Sequence, residues 1–346
     1  MSRKPKPPGR TRKPVAQKAK AKSRPRRPSK PAATYRDLVA GVAKGEVRAI
    51  ARMISLAEAD KPESRPALAE IFRMAGRAHV VGLTGVPGSG KSSLIRVLAK
   101  AIRAGGRRVG IVAVDPSSPF SGGAILGDRI RMTDLSGDPG VFIRSMATRG
   151  ALGGLTAACH DAIDVLDAAG FDVVLVETVG VGQDEVEIVQ AAHTVVVVSA
   201  PGLGDDVQAI KAGVLEIADI HVVSKFDKPD AARTAADLKG MLGLGARGHR
   251  AGGWHVPVVP TSSEREEGID RLVAAIDDHR RHLLESGEMA ERCRRIMELR
   301  VLKTAEDIVR DRFRKGREGR LQAALKKVAA RKTDPRAAAA ALLKAK

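Results

Sequence analysis

Short runs of aliphatic residues alternate with helix-like patterns between residues 79 and 260. The runs predict seven strands, at 79–84, 108–114, 141–144, 172–177, 194–199, 219–224 and 256–260. Strands that alternate with helices are typical of βαβ units with parallel strands. Their continuous Val, Ile and Leu character indicates burial on both faces. The pattern therefore predicts an α/β fold with a mostly parallel sheet, in which ligands bind beyond the carboxyl ends of the strands.

Helical periodicity flanks this region on both sides. Apolar residues at three- and four-residue spacing predict a helical cap over 34–78 and more helix over 262–316. The last segment is rich in Ala and Lys, and its pattern leaves open a solvated helix or an arm that acquires a partner. We expect five parts: a tail at 1–33, a cap at 34–78, an α/β domain at 79–265, a helical region at 266–316 and an arm at 317–346.

Positive charge is concentrated in the tail. Of the formal net charge of +20, residues 1–33 supply +13, with seven Pro and no acidic residue. Such a segment buries too little apolar surface to offset the entropy of ordering, so we expect disorder. It has no apolar core typical of a secretory signal. A solubilising extension is the simplest interpretation, and weak nonspecific contact with nucleic acid or anionic surfaces is the alternative.

Two further absences restrict the class of protein. No apolar run approaches the roughly 18 residues that span a bilayer, so no membrane contact is expected. Cys159 and Cys293 lie far apart, which favours neither a disulfide framework nor a zinc site. These features predict a soluble, cytoplasmic protein.

A glycine-rich loop follows the first predicted strand. The run Gly85-Val86-Pro87-Gly88-Ser89-Gly90-Lys91-Ser92-Ser93 fits the pattern G-x-x-x-x-G-K-[ST], and a helical pattern follows it. Glycine lets backbone N–H groups wrap around a polyphosphate, and the helix N-terminus adds partial positive charge. We expect Lys91 to reach the β- and γ-phosphates and Ser92 to bind Mg²⁺. The loop predicts binding of a nucleoside triphosphate.

Three acidic residues are candidates to hold that Mg²⁺ directly or through water. Asp115 follows the second strand, Asp128 lies in a glycine-rich segment, and Glu177 ends the fourth strand in the Walker B position. Carboxylate oxygens are ligands that Mg²⁺ prefers. We expect Lys91 and Glu177 to carry catalysis.

Two segments are candidate switches. Gly180 lies three residues after Glu177 and is expected to meet the γ-phosphate. Many small GTPases place a water-orienting Gln directly after that glycine, but here the position is Val181, and Gln183 lies two residues further on. Hydrolysis should therefore be slow alone and faster with a partner. The second segment carries Asp205, Gln208 and Lys211; a capped helix start at Asp205 is its alternative interpretation.

The loop after the sixth strand predicts which base is bound. Lys225-Phe226-Asp227 matches the end of the guanine-reading pattern N-K-x-D, in which Asp accepts hydrogen bonds from guanine N1–H and N2–H₂. Adenine cannot donate both bonds. Ser224 replaces the usual Asn, and we expect it to lose some hydrogen bonds that brace the loop. Ser262 and Ser263 follow the seventh strand, where a backbone N–H would contact guanine O6.

Together these segments resemble the MeaB/ArgK family of P-loop GTPases, to which the methylmalonic aciduria type A protein belongs. The resemblance rests on residues 85–92, 114–118, 122–128, 170–183 and 204–211, and covers roughly residues 35–316. It implies binding of GTP or GDP with Mg²⁺ by Lys91, Ser92, Asp115, Asp128 and Glu177, and an additional switch at 203–211. It also implies a homodimer, assigned to 266–316, that chaperones an adenosylcobalamin-dependent acyl-CoA mutase.

Three other classes of function compete with this interpretation. A metallochaperone GTPase of the nickel-insertion type would need a His-rich tract or a Cys–His pair near the switches, and Cys159-His160 fits core packing of an amphipathic helix better. An ATP-using kinase or transport ATPase is disfavoured by Lys225-x-Asp227. A nucleic-acid-binding protein dominated by its tail would show steep salt dependence.

Overall fold

A computed structural model describes residues 34–115, 132–135, 137–147, 155–178, 187–202, 216–243, 253–316 and 318–344. Several predicted features lie outside the described residues: the tail at 1–33, Asp128, Gly180, Gln183, Asp205, Gln208 and Lys211.

The centre of the fold is one sheet of seven parallel strands in the order β3-β2-β4-β1-β5-β6-β7. The strands are β1 His79–Thr84, β2 Val109–Asp115, β3 Val141–Ala147, β4 Val173–Glu177, β5 Thr194–Ser199, β6 Ile220–Val223 and β7 Val258–Pro260. Each corresponds to a strand predicted from the aliphatic runs, so the predicted α/β fold class is confirmed. Because β1 and β4 are neighbours near the middle, the loop after β1 and the end of β4 open at the same edge.

Helices cover both faces of the sheet. They are α1 Tyr35–Ala43, α2 Val47–Ala59, α3 Arg65–Met74, α4 Lys91–Ala104, α5 Ala157–Ala168, α6 Ala231–Gly243 and α7 Ile269–Glu285. On one face, Val80, Val112 and Val174 pack with α1–α3, α5 and α6. On the other, Val81, Ile111 and Leu175 pack with α4 and α7. Successive strand residues thus enter opposite cores, which explains why the strands read as unbroken aliphatic runs.

A long helix, α8 Glu288–Gly316, runs back over the molecule. Arg292 clamps the fully buried Asp219 at the start of β6, with its two guanidinium nitrogens 2.6 and 3.1 Å from the carboxylate oxygens. Further along, Arg300 pairs with Asp164 of α5 at 2.6 Å. These charged contacts fix the orientation of α8 against the α/β core.

The carboxyl-terminal arm consists of two further helices that pack on each other, α9 Glu318–Ala329 and α10 Pro335–Lys344. The sequence left its structure open between a solvated helix and an arm that acquires a partner. Within the described ranges, no helix is both long and apolar enough to cross a bilayer.

Candidate nucleotide site

The loop between β1 and α4 uses glycine at three positive φ angles. Gly85 has φ of +137°, and a Cβ there would collide with the carbonyl oxygen of Val198 on β5. Gly88 and Gly90 have φ of +78° and +89°, conformations that L side chains rarely adopt. Gly90 is also the N-cap of α4, so the loop leads straight into the positive end of that helix.

Lys91 is the first residue of α4 and is largely buried. Its Nζ donates hydrogen bonds to the carbonyl oxygens of Gly85 (2.7 Å) and Val86 (3.1 Å). The ammonium group is therefore held against the loop, where the sequence predicts the phosphates.

The next residue, Ser92, meets the end of β4. Its Oγ donates a hydrogen bond of 2.7 Å to Oε1 of Glu177, and both side chains are at least nine-tenths buried. A hydroxyl and a carboxylate that converge in this way supply the hard oxygen donors that suit Mg²⁺. Asp115 ends β2, which also pairs with β4, so its backbone lies at the same edge of the sheet. Among the described residues there is no cluster of three or more His, Cys, Asp or Glu able to hold a metal.

The loop after β6 is bonded directly to the glycine-rich loop. The Ser224 hydroxyl lies 2.5 Å from the carbonyl oxygen of Ser89 and 3.0 Å from that of Ser199. Its single proton serves one acceptor at a time, and the shorter distance favours Ser89. Lys225, at φ of +51°, donates from Nζ to the carbonyl oxygen of Gly88 at 2.8 Å. The expectation that Ser224 loses some bracing hydrogen bonds relative to asparagine stays a prediction, but its short side chain does reach the neighbouring backbone directly.

Asp227 is positioned by the loop after β7. Ser262 Oγ donates a 2.7 Å hydrogen bond to Oδ1 of Asp227, and the backbone N–H of Phe226 donates to the carbonyl oxygen of Thr261 at 3.0 Å. The bond from Ser262 lowers the pKa of Asp227, so the carboxylate is ionised at neutral pH. A carboxylate has about four lone-pair sites, so both oxygens keep acceptor capacity. The half-buried Ser263 follows in the chain.

Comparison with known proteins assigns the family. The profile described as "Methylmalonyl Co-A mutase-associated GTPase MeaB" matches residues 50–318. This chain belongs to the MeaB family. The assignment agrees with the family resemblance of the glycine-rich and Walker B segments.

Relatives of the MeaB-family chain span bacteria, archaea and mammals. A protein of Pyrococcus abyssi that carries a GTPase name is 48% identical over 309 residues, covering 89% of this chain and 95% of that one. GTPase ArgK of Escherichia coli is 35% identical, covering 75% and 80%. The mouse mitochondrial methylmalonic aciduria type A homolog is 35% identical, covering 73% and 65%. A crystal structure of LAO/AO transport system kinase matches with a TM-score of 0.66 and 25% identity, covering 90% and 96%.

Two contributions to the MeaB-family site were missed by sequence reasoning. Thr178 is buried directly after Glu177; its N–H donates to the carbonyl oxygen of Leu83 at 3.2 Å and its Oγ1 to Thr84 Oγ1 at 3.1 Å. These bonds join the ends of β4 and β1. The second is the brace from Ser224. In both cases the sequence offered one signal for such a contact, a polar residue directly after a buried strand: Thr178 after β4 and Ser224 after β6.

Cys159 and His160 lie in α5 and are both buried, as the core-packing interpretation predicted. Burial raises the pKa of the Cys159 thiol and lowers the pKa of His160 to about 3. Both side chains are therefore neutral at pH 7 and contribute to the core of the MeaB-family fold.

Proposed function

We propose that this chain is a Mg²⁺-dependent GTPase that chaperones an adenosylcobalamin-dependent acyl-CoA mutase of the methylmalonyl-CoA mutase type. It would gate cofactor loading and protect or reactivate the mutase. The observation that carries the nucleotide assignment is the bonded connection from Asp227 through its loop to the glycine-rich loop, by way of Lys225 and Gly88. Membership of the MeaB family supports the partner.

Base recognition follows from the chemistry of Asp227. Its two oxygens would accept from guanine N1–H and N2–H₂, while Ser262 holds the carboxylate in place. Adenine has no matching pair of donors and would leave the carboxylate, whose side chain is only 9% exposed, with its bond from Ser262 but without the two bonds from the base. Such a mismatch is costly, which favours GTP over ATP.

The phosphate end of the site would use Lys91, Ser92 and Glu177. Lys91 would exchange the carbonyl oxygens of Gly85 and Val86 for phosphate oxygens, and Ser92 with Glu177 would hold Mg²⁺, with Asp115 and Asp128 as further candidates. The ion neutralises charge that develops on the transferred phosphoryl group. Val181 cannot orient the attacking water, so we propose a slow intrinsic rate that the mutase accelerates.

The assembly we propose is a homodimer in the cytoplasm, with its contact in the region 266–316. Helix α8 exposes several apolar side chains along its middle, notably Val301, Leu302 and Ile308, at 68%, 55% and 50% exposure. Exposed apolar side chains grouped on one helix are typical of a protein–protein contact.

The proposed function is tested with purified chain, Mg²⁺ and either GTP or ATP, with and without the mutase. We expect turnover of GTP that rises when the mutase is added, and adenosylcobalamin loading of the mutase that depends on GTP hydrolysis. Lys91→Ala is the matched inactive control. Equal hydrolysis of ATP and GTP would contradict the base assignment, and a mutase without effect on the rate would contradict the chaperone assignment.

A further inference from the structure

The whole net charge of the chain lies in its two terminal segments. Residues 1–33 carry +13, and residues 317–346 carry +7, from nine basic and two acidic residues. The 283 residues between them hold 38 basic and 38 acidic residues and are neutral. The nucleotide site lies entirely in the neutral part, so the site does not account for this charge.

The structure gathers part of that charge at one end of a helical hairpin. Lys326 and Lys327 occupy the last turn of α9, Arg331 and Lys332 form the connection, and Arg336 is the second residue of α10. All five side chains are exposed. We call these five residues the basic tip.

Backbone hydrogen bonds hold the basic tip in shape. The N–H of Arg331 donates to the carbonyl oxygen of Val328 and the N–H of Lys332 to that of Lys327, both at 2.9 Å. Arg331 itself takes φ of +53° to reverse the chain. The five cations therefore sit on a fixed turn between two helices, not along a single extended strand of chain.

Asp334 is the acidic residue within this stretch, and its carboxylate serves the local fold. Its Oδ1 accepts the backbone N–H of Ala337 at 2.9 Å, which caps the start of α10. This bond lowers the pKa of Asp334, so the carboxylate stays ionised and satisfies the helix terminus. With five cations and this single carboxylate, the surface of the basic tip has a strongly positive net charge.

The composition of the basic tip decides which polyanion it fits. Residues 326–336 contain no aromatic residue, and the one large aliphatic residue, Val328, is half-buried. Protein hot spots use aromatic anchors, and membrane-surface helices use a broad apolar face. Leu325, next to Lys326, is 50% exposed, but a single leucine does not form a broad apolar face. A mainly electrostatic surface matches the sequence-independent contacts that proteins make with phosphate backbones. We propose that the basic tip binds the backbone of duplex nucleic acid.

The test measures binding of the full chain to a fluorescent DNA duplex of about 25 base pairs across a range of salt concentrations. The slope of log K against log salt changes by about 0.9 for each phosphate contact. The triple variant Lys326→Gln, Lys327→Gln, Lys332→Gln should therefore flatten the slope by about 2 to 3 and weaken binding about tenfold or more at low salt. An unchanged slope in this variant would overturn the proposal.

A matched control removes the same charge from the neutral part of the chain. The exposed cations on α6 and α7 include Arg233, Lys239 and Arg271. Replacing all three by Gln should change the slope of log K against log salt by less than about 0.5. A control that lost as much as the tip variant would show that overall charge alone governs binding, which contradicts the proposal. GTP hydrolysis and thermal unfolding of both variants should match the wild type, so this test is independent of the GTPase assignment.

Two other probes separate the sources of negative charge. Vesicles of phosphatidylserine and phosphatidylcholine represent a lipid surface, and polyglutamate represents an acidic protein. The proposal requires DNA to bind more tightly than either at equal salt. Tighter binding to vesicles or polyglutamate, lost in the tip variant, would assign the basic tip to that class instead.

Discussion

The hydroxyl of Ser224 lies 2.5 Å from the carbonyl oxygen of Ser89, so the loop that would read the base touches the loop that would hold the phosphates. Ser89 is fully buried and Ser224 almost so. Serine therefore braces the two loops from the position at which the pattern N-K-x-D has asparagine. Together with the bond from Lys225 to the carbonyl oxygen of Gly88, this contact holds the two loops against each other.

Removing that contact should loosen both loops together. Ser224→Ala leaves the carbonyl oxygen of Ser89 without its donor, at a cost of about 1–3 kcal/mol. We expect the affinity for GDP and GTP to fall about tenfold, because both nucleotides would contact the two loops and need them in their present relative positions. Equilibrium binding of a fluorescent guanine nucleotide measures the loss.

Ser55→Ala is the matched control for this change. Ser55 also donates to a backbone carbonyl oxygen, that of Ala51 at 3.0 Å, but it does so within α2. Its removal should leave nucleotide affinity unchanged. Equal losses in the two variants would mean that Ser224 acts through general stability and not through the site.

Glu177→Gln should raise the Mg²⁺ concentration needed for tight nucleotide binding. Glutamine keeps the shape and can still accept from Ser92, but it lacks the negative charge that attracts the ion. Loss of a partner of this kind costs about 10- to 100-fold in metal affinity. Mg²⁺ titrations of nucleotide release would reveal the shift. The exposed Glu285→Gln should behave as the wild type, and a Glu177→Gln titration that overlays it would refute a metal role.

Lys303 connects α8 to Leu155 and Glu187. Its Nζ donates to the carbonyl oxygen of Leu155 at 3.0 Å and lies 3.4 Å from Oε2 of Glu187. Glu187 is the first described residue after 179–186, which contains Gly180 and Gln183. We therefore predict that Lys303 couples the candidate switch at Gly180 and Gln183 to α8 through Glu187.

Lys303→Met keeps the length of the side chain and removes its charge and donors. We expect stimulation of GTP hydrolysis by the mutase to fall about five- to tenfold, the size of a modest coupling energy, while GDP affinity stays unchanged. Rates with saturating mutase measure the effect, and Lys303→Arg should retain most of it. Full stimulation of the Lys303→Met variant by the mutase would show that Lys303 does not couple the switch to α8.

Buried histidines should make the fold sensitive to acid. Burial lowers the pKa of His79 well below its usual 6.5, that of His193 to about 4 and that of His160 to about 3. Below pH 6.5 these histidines bind protons in the unfolded chain but stay neutral in the native chain. The free energy of unfolding therefore decreases as the pH falls. Burial raises the pKa of Asp161 to about 6, and its native carboxyl takes up a proton that partly offsets this loss.

For these four groups together, the net uptake on unfolding between pH 6 and 5 is about two protons, and their contribution is a loss of about 2–3 kcal/mol per pH unit. Urea unfolding at pH 7, 6 and 5 measures the slope. His160→Gln should reduce the proton uptake on unfolding by up to about one proton, which makes the pH dependence shallower. A free energy of unfolding that stays constant down to pH 5 would contradict neutral burial of the three histidines.

Local sequence signals predicted the strands and the phosphate loop because those features depend on neighbours along the chain. Val173–Glu177 reads as a buried strand from its own side chains, and Gly85–Ser92 fits a fixed pattern. The contact of Ser92 with Glu177 was also foreseeable, since the loop between β1 and α4 and the end of β4 lie at the same edge of a parallel sheet.

The contact between Ser224 and Ser89 was not predictable from the sequence. Ser224 and Ser89 lie 135 residues apart, and only the packing of β6 beside β5, with β1 on the other side of β5, brings them together. Serine in place of asparagine therefore looked like a loss. The turn that collects the basic tip likewise depends on how α9 ends, which an Ala- and Lys-rich pattern leaves open.

The most direct test of the account exchanges the hydrogen-bonding pattern of Asp227. Xanthine carries a carbonyl oxygen where guanine carries its N2 amine, so an amide side chain complements xanthine as a carboxylate complements guanine. Competition binding of GTP and XTP to the wild type and to Asp227→Asn gives the answer. The account predicts at least a tenfold preference for GTP in the wild type and a reversed preference in the variant. An unchanged preference would show that Asp227 does not read the base.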